Sequence, residues 1–379
     1  MIKSRYSLGK LENSTKNYTL IKLGLCKHLP DKFSTLNNEL ATRMACKLIV
    51  DEKEIFKADR YVVIGIGESA LLGYLIADKL TGILRNVEFI STVRSVGRKE
   101  NAIGIHEEYG IEQYILLDKI LGYSGKTRYI IVKDEFNSSN EVHELIRDLE
   151  SVSNKDDITG YNVVSILKSL DLTVDESEIY KRKIRFSSLD VLNKNVCEVF
   201  DTKINNISGD SDYTIDDKTF LDNCELDIIE MNKLDPMVFM SCFKNDTASL
   251  DIIDILAKEL ESGKYKKLVL VGTEQFNVIH GEIAKYFENS TEIDVRLHFT
   301  TREKILPMVN TSNEYLISNR VDFKSAYGDY TTYLYNTNEY RDKEYLVAVI
   351  TDNSEYISQL IQHFEEADTG KIMLFTFNK

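Results

Sequence analysis

A run of nine residues, Val132-Lys133-Asp134-Glu135-Phe136-Asn137-Ser138-Ser139-Asn140, puts two adjacent carboxylates after an apolar stretch and follows them with small polar side chains. If the apolar stretch is a strand and the polar run opens a helix, the pattern suits a phosphorylated sugar. Backbone N–H groups at a helix N-terminus bind phosphate, and a carboxylate at a strand end holds sugar hydroxyls or a hydrated Mg²⁺. A ribose 5-phosphate combines both demands. The simpler alternative is that Asn137 or Ser138 caps the helix while Asp134 and Glu135 form a solvated turn. This segment alone does not separate the two.

A second pattern is repeated about two hundred residues apart. Val62-Val63-Ile64-Gly65-Ile66-Gly67-Glu68-Ser69 is followed by a helix-like segment and then Val87–Arg94, ending Ser91-Thr92-Val93-Arg94. Leu268-Val269-Leu270-Val271-Gly272-Thr273-Glu274 is followed by another such segment and then Val295–Arg302, ending Thr300-Thr301-Arg302. Glu68 and Arg94 are 26 positions apart, and Glu274 and Arg302 are 28 apart. Each half then offers an apolar strand closing on an acid, Tyr129–Asp134 and Tyr345–Asp352. Strand, polar turn and helix repeated in this way describe open, mainly parallel α/β sheets, whose ligands sit at the carboxyl ends of the strands. The fold expected is therefore two α/β domains, the second a candidate diverged copy of the first.

The elements that must position these residues follow from periodicity. Tyr18–Ile21 is a short strand candidate, and Leu36, Leu40, Met44 and Leu48 mark one helix face. Leu71, Leu72, Leu75 and Ile76 face inward from the helix after Gly67, and Val142, Leu145, Ile146 and Leu149 from the helix after Asn140. Residues 94–128 are glycine-bearing and loop-rich, as a hood over a ligand edge would be. Val163–Leu167 and Ile184–Leu189 complete the first sheet. The expected domains are 1–195, an acidic linker and domain edge at 196–245, and 246–379. A helix capped at Asp246 or Thr247 and ending before Gly263 would bury Leu250, Ile253, Leu256 and Leu260.

A chain of 379 residues fits two domains, and 43% hydrophobic with 28% charged residues is ordinary for a soluble protein. The formal net charge of −14 argues against duplex nucleic acid, which needs a basic surface, but leaves room for a local basic pocket. No stretch approaches a membrane span and the N-terminus carries no signal-peptide core, so a cytoplasmic protein with no membrane partner is expected. Cys26, Cys46, Cys197, Cys224 and Cys242 are scattered without a C-x-x-C, as reduced thiols would be.

The 132–140 segment resembles the phosphoribosyl-diphosphate loop of type I phosphoribosyltransferases. A closer resemblance joins further motifs. Ile21–Pro30, the Gly67-Glu68-Ser69 turn, Ser91–Arg94 and Glu107-Glu108 look like the phosphoribosyltransferases encoded beside bacterial tellurium-resistance genes. In that branch a second domain, named for a Thr-Arg-Ser-Pro motif (TRSP), follows the first. Gly272–Phe276, Thr300–Arg302, Tyr333–Asn336 and Thr351-Asp352 resemble that domain, so most of the chain matches in the right order.

The resemblance implies transfer of a 5-phosphoribosyl group from its diphosphate donor, with Mg²⁺, to an unidentified acceptor. A nucleoside-like metabolite of a tellurium- or stress-resistance pathway would result. It gives Asp134 and Glu135 the ribose hydroxyls and the metal, and Asn137, Ser138, Ser139 and Asn140 the 5-phosphate. Gly67, Glu68, Ser69 and Arg94 would take the leaving diphosphate; Lys133, a departure from the family, is a further candidate diphosphate contact in a new geometry. In the second domain Thr273, Glu274, Thr301, Arg302 and Asp352 form the corresponding set. A homodimer is left open.

The departures are specific. Lys133 stands where the family has another acid, and Ser139 where it has glycine; a serine forced to positive φ costs roughly 1–2 kcal/mol. Glu141 replaces a small hydroxyl, Tyr109-Gly110-Ile111 a His-Ser-His, and Glu303-Lys304 the Ser-Pro after Arg302. They bear on catalysis, not on fold, and they define the alternative: a degenerate phosphoribosyl- or nucleotide-binding regulatory or scaffold protein.

Gly65-Ile66-Gly67-Glu68-Ser69-Ala70 also fits a dinucleotide fingerprint, but the acid that should follow, Glu88, falls at the wrong end of its strand. His280 and His298 lack metal-ligand spacing and are expected as buried, satisfied histidines. Tyr327, Tyr330, Tyr333, Tyr335 and Tyr340, with Asp322 and Asn336, either line an aromatic pocket or simply pack.

Overall fold

The computed structural model describes residues 6–11, 19–22, 25–93, 102–106, 112–117, 120–121, 125–136, 139–169, 183–192, 225–231, 247–273, 277–307, 317–325, 330–351, 360–361, 363–364 and 369–377. In chain order the elements begin β1 (Tyr6–Leu11), β2 (Thr19–Lys22), α1 (Thr42–Asp51), β3 (Arg60–Gly65), α2 (Ala70–Thr81), β4 (Val87–Ser91), β5 (Ala102–His106) and β6 (Glu112–Leu116). They continue β7 (Thr127–Phe136), α3 (Ser139–Val152), β8 (Ile158–Ser169), β9 (Ile184–Leu192) and β10 (Glu225–Glu230). The remainder are α4 (Thr247–Leu260), β11 (Lys267–Gly272), α5 (Asn277–Ser290), β12 (Asp294–Phe299), β13 (Ile305–Leu306), β14 (Arg320–Lys324), β15 (Thr331–Tyr335), β16 (Tyr345–Thr351) and β17 (Lys371–Thr376).

Two compact units result. The first is Leu36–Lys194 with Pro236–Asn245; the second is Met1–Thr35, Asn195–Asp235 and Asp246–Lys379. The sequence places residues 1–35 with the first domain; in the structure they belong to the unit containing 246–379. The ties are long-range: β1 pairs antiparallel with β13, and both Phe33 and Ser34 donate backbone N–H bonds to the Glu288 carboxylate. No local pattern encodes contacts of that reach.

The first unit is built on a five-stranded parallel sheet in the order β4-β3-β7-β8-β9. Every residue of β3 is buried, as a central parallel strand covered on both faces requires. Leu36 and Leu40 lie in the π-helical segment Thr35–Ala41 that precedes α1, and they and the predicted inward residues of α1, α2 and α3 are all buried. Gly65 and Gly73 let α2 lie close against the sheet. A Cβ on Gly73 would stand 2.8 Å from the Gly65 Cα, and one on Gly65 would stand 2.9 Å from the Ala70 Cα.

The second unit has its own five-stranded parallel sheet, β10-β17-β16-β11-β12. Its first four strands in the motif repeat the first unit's order: β12-β11-β16-β17 answers β4-β3-β7-β8. Each inserts an antiparallel hairpin at the same place, β5-β6 in one and β14-β15 in the other. Each closes with the same bridge, Val93 to Tyr114 and Thr301 to Tyr333. The fifth positions differ in connectivity, since β9 follows its sheet in sequence while β10 precedes it. The copy expected from the repeat is thus matched in order for four strands and the hairpin, with the fifth strand permuted.

Three local expectations change. The strand expected to close on Asp134 runs to Phe136, because β8 is long enough to keep pairing Lys133 with Ser165, Glu135 with Leu167 and Phe136 with Lys168. The 196–245 segment contains β10, an acidic edge strand. It lies beside β17, where buried Lys371 reaches Glu225 at 3.4 Å, Asp227 at 2.8 Å and, on α4, Glu259 at 3.0 Å. Leu250, expected inside, is exposed, and Ile252 takes the buried position beside Ile253, Leu256 and Leu260.

Candidate functional site

In the first unit the motifs converge at the carboxyl edge of the sheet, where open α/β folds place ligands. After β3, the Ile66 N–H bonds to the Val132 carbonyl at 3.0 Å, and the chain turns through Gly67, whose φ of +55° is the left-handed conformation glycine adopts without strain. The Gly67 N–H donates to the Thr92 hydroxyl at 2.8 Å, and Thr92 in turn donates to the Gln113 side-chain oxygen. Ser69 is buried at the head of α2. Its hydroxyl accepts the Asp134 N–H at 2.9 Å and lies 3.3 Å from the Asp134 carboxylate, which also accepts the Glu135 N–H at 3.0 Å. Two hydrogen-bonded sets, Gly67–Thr92–Gln113 and Ser69–Asp134, thus meet at the Gly67–Ser69 turn.

Asp134 is buried, and Lys133 and Glu135 are half-buried. Because β7 stays extended through these positions, successive side chains leave opposite faces of the sheet. Asp134 faces the start of α2. Lys133 instead lines a small apolar crevice with Ile66, Ile105, Ile131, Phe136, Val142 and Leu145. Glu68 is half-buried in the turn. Ser139 and Asn140 open α3, while Arg94, Asn137 and Ser138 lie outside the described residues.

Thr92 and Gln113 were not singled out by the sequence. Thr92 sits within a quoted motif, but only the turn geometry shows its hydroxyl holding Gly67. Gln113 is buried, and its amide nitrogen meets no protein partner, so a polar ligand or water is needed there to satisfy it.

The second unit repeats the edge. Thr300 N–H bonds to the Gly272 carbonyl at 3.0 Å, as Thr92 N–H does to Gly65 at 3.1 Å. Thr273 donates to the Ile350 carbonyl at 3.0 Å. Thr301 is buried, and Arg302, also buried, places its guanidinium 4.6 Å over the Tyr330 ring while donating to the Ser325 hydroxyl. Glu274 and Asp352 lie outside the described residues. Among the tyrosines, Tyr333, Tyr335 and Tyr340 are buried packing, Tyr330 is exposed, and Tyr327 lies outside the described residues. Tyr335 donates to the Glu303 carbonyl and accepts the Ile305 N–H.

Both histidines named from the sequence are fully buried. His280 Nε2 lies 2.9 Å from the Val271 carbonyl. His298 bonds through Nδ1 to the Tyr340 hydroxyl, but its Nε2 has no partner. Burial, with His28 nearby, pushes the His298 pKa down to about 3. The dinucleotide reading loses its acid as well. Glu88 is held by Arg60 through two bonds of 2.8 and 2.7 Å at the amino end of the strands, and Gly65 and Gly73 are explained by packing.

Among the described residues no cluster of three or more His, Cys, Asp or Glu side chains could cage a metal ion, and no helix is long and apolar enough to cross a membrane. Cys26 and Cys46 are not joined in a disulfide.

The fold and edges define an α/β protein with two parallel-sheet units, each bearing a polar cluster at its carboxyl edge. Residues 243–364 match the family described as "TRSP domain C terminus to PRTase_2", in agreement with the resemblance. The match spans α4 to β16, leaving β10, β17 and residues 1–35 of the same unit outside it. No curated protein matches the chain in sequence. Solved structures similar to part of it include the adenine phosphoribosyltransferase of Trypanosoma brucei, at 13% identity and TM-score 0.35, covering 52% of this chain and 81% of that one. Another is the Giardia lamblia enzyme, at 12% identity and TM-score 0.36, covering 50% and 94%.

Proposed function

We propose that the first unit binds 5-phosphoribosyl diphosphate and that the chain is a phosphoribosyltransferase-type enzyme of the tellurium-resistance-associated branch. The observation that supports this most is the cluster joining the Gly67–Ser69 turn to Asp134. It brings a turn suited to a diphosphate and a carboxylate suited to ribose hydroxyls to one sheet edge, beside the unsatisfied Gln113 amide. The TRSP match adds to it, because that domain is described by its position after such a unit.

In this reading an acceptor nucleophile attacks C1 of the ribose, the bond to the diphosphate oxygen breaks, and the diphosphate leaves with the electron pair. Charge develops on the sugar ring, so placement and electrostatics do most of the catalysis. In this reading Asp134, held by Ser69, binds the ribose hydroxyls. The Gly67–Ser69 turn, through its remaining polar groups, and Arg94 take the diphosphate role, and Asn137–Asn140 the 5-phosphate role. Mg²⁺ takes one or two carboxylates plus substrate oxygens, which Asp134 or Glu135 supplies without an all-protein cage. The product is a nucleoside-like metabolite, and the location is cytoplasmic.

A second reading, a binding protein without turnover, is favoured by one observation. Asp134 and Glu135 diverge on an extended strand, so the two carboxylates do not face one ligand together. Calorimetric titration of phosphoribosyl diphosphate with Mg²⁺ into wild type and Asp134→Ala tests both. Micromolar binding lost in the variant supports the donor site, and diphosphate release on adding nucleobases then separates enzyme from binder. No binding by folded wild type overturns the donor site.

A further inference from the structure

We propose that the second unit carries its own site for a phosphate monoester, built by Lys27, His28, Arg302 and Glu303 at the carboxyl edge of its sheet. The N-terminal segment makes this possible by running antiparallel along the outer edge of β12. The Cys26 carbonyl accepts the Phe299 N–H at 2.6 Å, and Asp31 and Leu297 exchange two backbone bonds of 3.1 and 2.8 Å. Residues 27–30 are looped out between these anchors. Cys26 takes a φ of +59°, a conformation non-glycine residues seldom adopt, where the chain leaves the edge.

The loop delivers two polar side chains into the interior. Lys27 and His28 are 5% and 4% exposed. One carboxylate receives both: Glu303 Oε1 lies 3.7 Å from the Lys27 Nζ, and Oε2 lies 3.2 Å from the His28 Nε2. The His28 ring is 5.5 Å from that of Tyr335, and its carbonyl accepts the Asn336 side-chain N–H at 2.8 Å. Nε2 is at ion-pair distance from Glu303 but makes no hydrogen bond to it, and Nδ1 is likewise buried and meets no protein partner.

A buried ring nitrogen with nothing to bond is costly, which marks the place of a missing group. Arg302, adjacent in sequence to Glu303, brings a guanidinium steadied by Tyr330 and Ser325 to the same edge. Guanidinium and ammonium groups recognise phosphate oxygens. A phosphate monoester oxygen can also accept from, or donate to, an imidazole nitrogen, so it satisfies Nδ1 in either ring state. Glu303 holds the ring and the lysine in position and is a positioning residue. This site requires no ligand in the first unit.

The test uses the full chain labelled with ¹⁵N-histidine, which has six histidines, with His28→Gln assigning the His28 signal by its loss. Ribose 5-phosphate and, separately, inorganic phosphate are titrated while the His28 Nδ1 resonance is followed. Expected is a saturable shift, retained in Asp134→Ala and weakened at least tenfold in Arg302→Gln. A stronger response to the sugar phosphate than to phosphate assigns an organic ester; equal responses assign free phosphate as the same site's ligand. A His28 signal unmoved at millimolar ligand in folded wild type overturns the site, as does an affinity unchanged by Arg302→Gln. Because Asp134→Ala is carried in parallel, loss of phosphoribosyl diphosphate binding and loss of the His28 shift are read separately. Either can fail without the other.

Discussion

The Ser69 hydroxyl accepts the Asp134 backbone N–H at 2.9 Å and lies 3.3 Å from the same residue's carboxylate. Two motifs 65 positions apart are thereby locked together at one sheet edge. Replacing Ser69 by Ala leaves a buried N–H unsatisfied, at about 1–3 kcal/mol. It also frees the Asp134 side chain to take other rotamers. Ser69→Ala is therefore expected to lower the urea midpoint and to weaken phosphoribosyl diphosphate binding about tenfold. Unchanged affinity with lowered stability would make the contact purely structural.

Gly65 has ordinary strand φ, so its requirement is spatial. An added methyl would meet the Ala70 Cα at 2.9 Å and the Phe89 ring at 3.1 Å. Backbone cannot yield as a side-chain tip can, so α2 must move. Gly65→Ala is expected to cost about 1–3 kcal/mol, the usual range for overpacking. Denaturant melts measure the loss. Because α2 begins at the end of the Gly67–Ser69 turn, donor affinity should fall along with stability.

What could be read from sequence was what local pattern encodes. The runs at Val62 and Leu268 gave buried parallel strands, and apolar periodicity gave the inner faces of α1, α2 and α3. Leu250 fails because it and Ile253 are three apart on a helix whose buried stripe is set by Ile252 and Leu256, a choice made by the partner and not by the helix. Asp134 and Glu135 look like a turn in sequence; β8 keeps them in the ladder, which a single strand's composition does not reveal. Thr92, Gln113 and His28 acquire meaning only through partners distant in sequence. The strand order shared by the units was foreshadowed by the Glu68–Arg94 and Glu274–Arg302 spacing, but the hairpin bridges at Val93 and Thr301 were not.

At the opposite, amino end of the first sheet, Arg128 and Glu52 form a buried ion pair at 3.1 Å, with the Arg128 Nε donating to the Asn162 side chain at 2.5 Å. Both charged residues are under 5% exposed. Removing one partner strands the other charge, which costs about 3–5 kcal/mol. Glu52→Ala is expected to destabilise by that amount in chemical denaturation. The pair is remote from the ligand edge in strand position, so any variant that remains folded should bind phosphoribosyl diphosphate as wild type does.

Acid should destabilise the second unit through two histidines. Burial, with His28 nearby, holds His298 at about 3, and burial with Arg341 nearby holds His363 at about 4, against an ordinary value near 6.5. Both folded values are depressed, so between them and 6.5 the unfolded chain binds more protons than the native one. The stability they contribute is complete above pH 6.5 and declines as pH falls, at about 1.4 kcal/mol per unit for each histidine, until the folded group itself titrates. From pH 7 to pH 5 His298 alone should account for about 2 kcal/mol. Urea melts at the two pH values, monitored by a tyrosine signal from the second unit, should show that fall. In His298→Gln, whose amide is able to bond the Tyr340 hydroxyl without titrating, the pH dependence should flatten by the His298 share. A slope identical to wild type would mean that His298 is protonated in the native state at pH 5 and that its surroundings admit water or an anion.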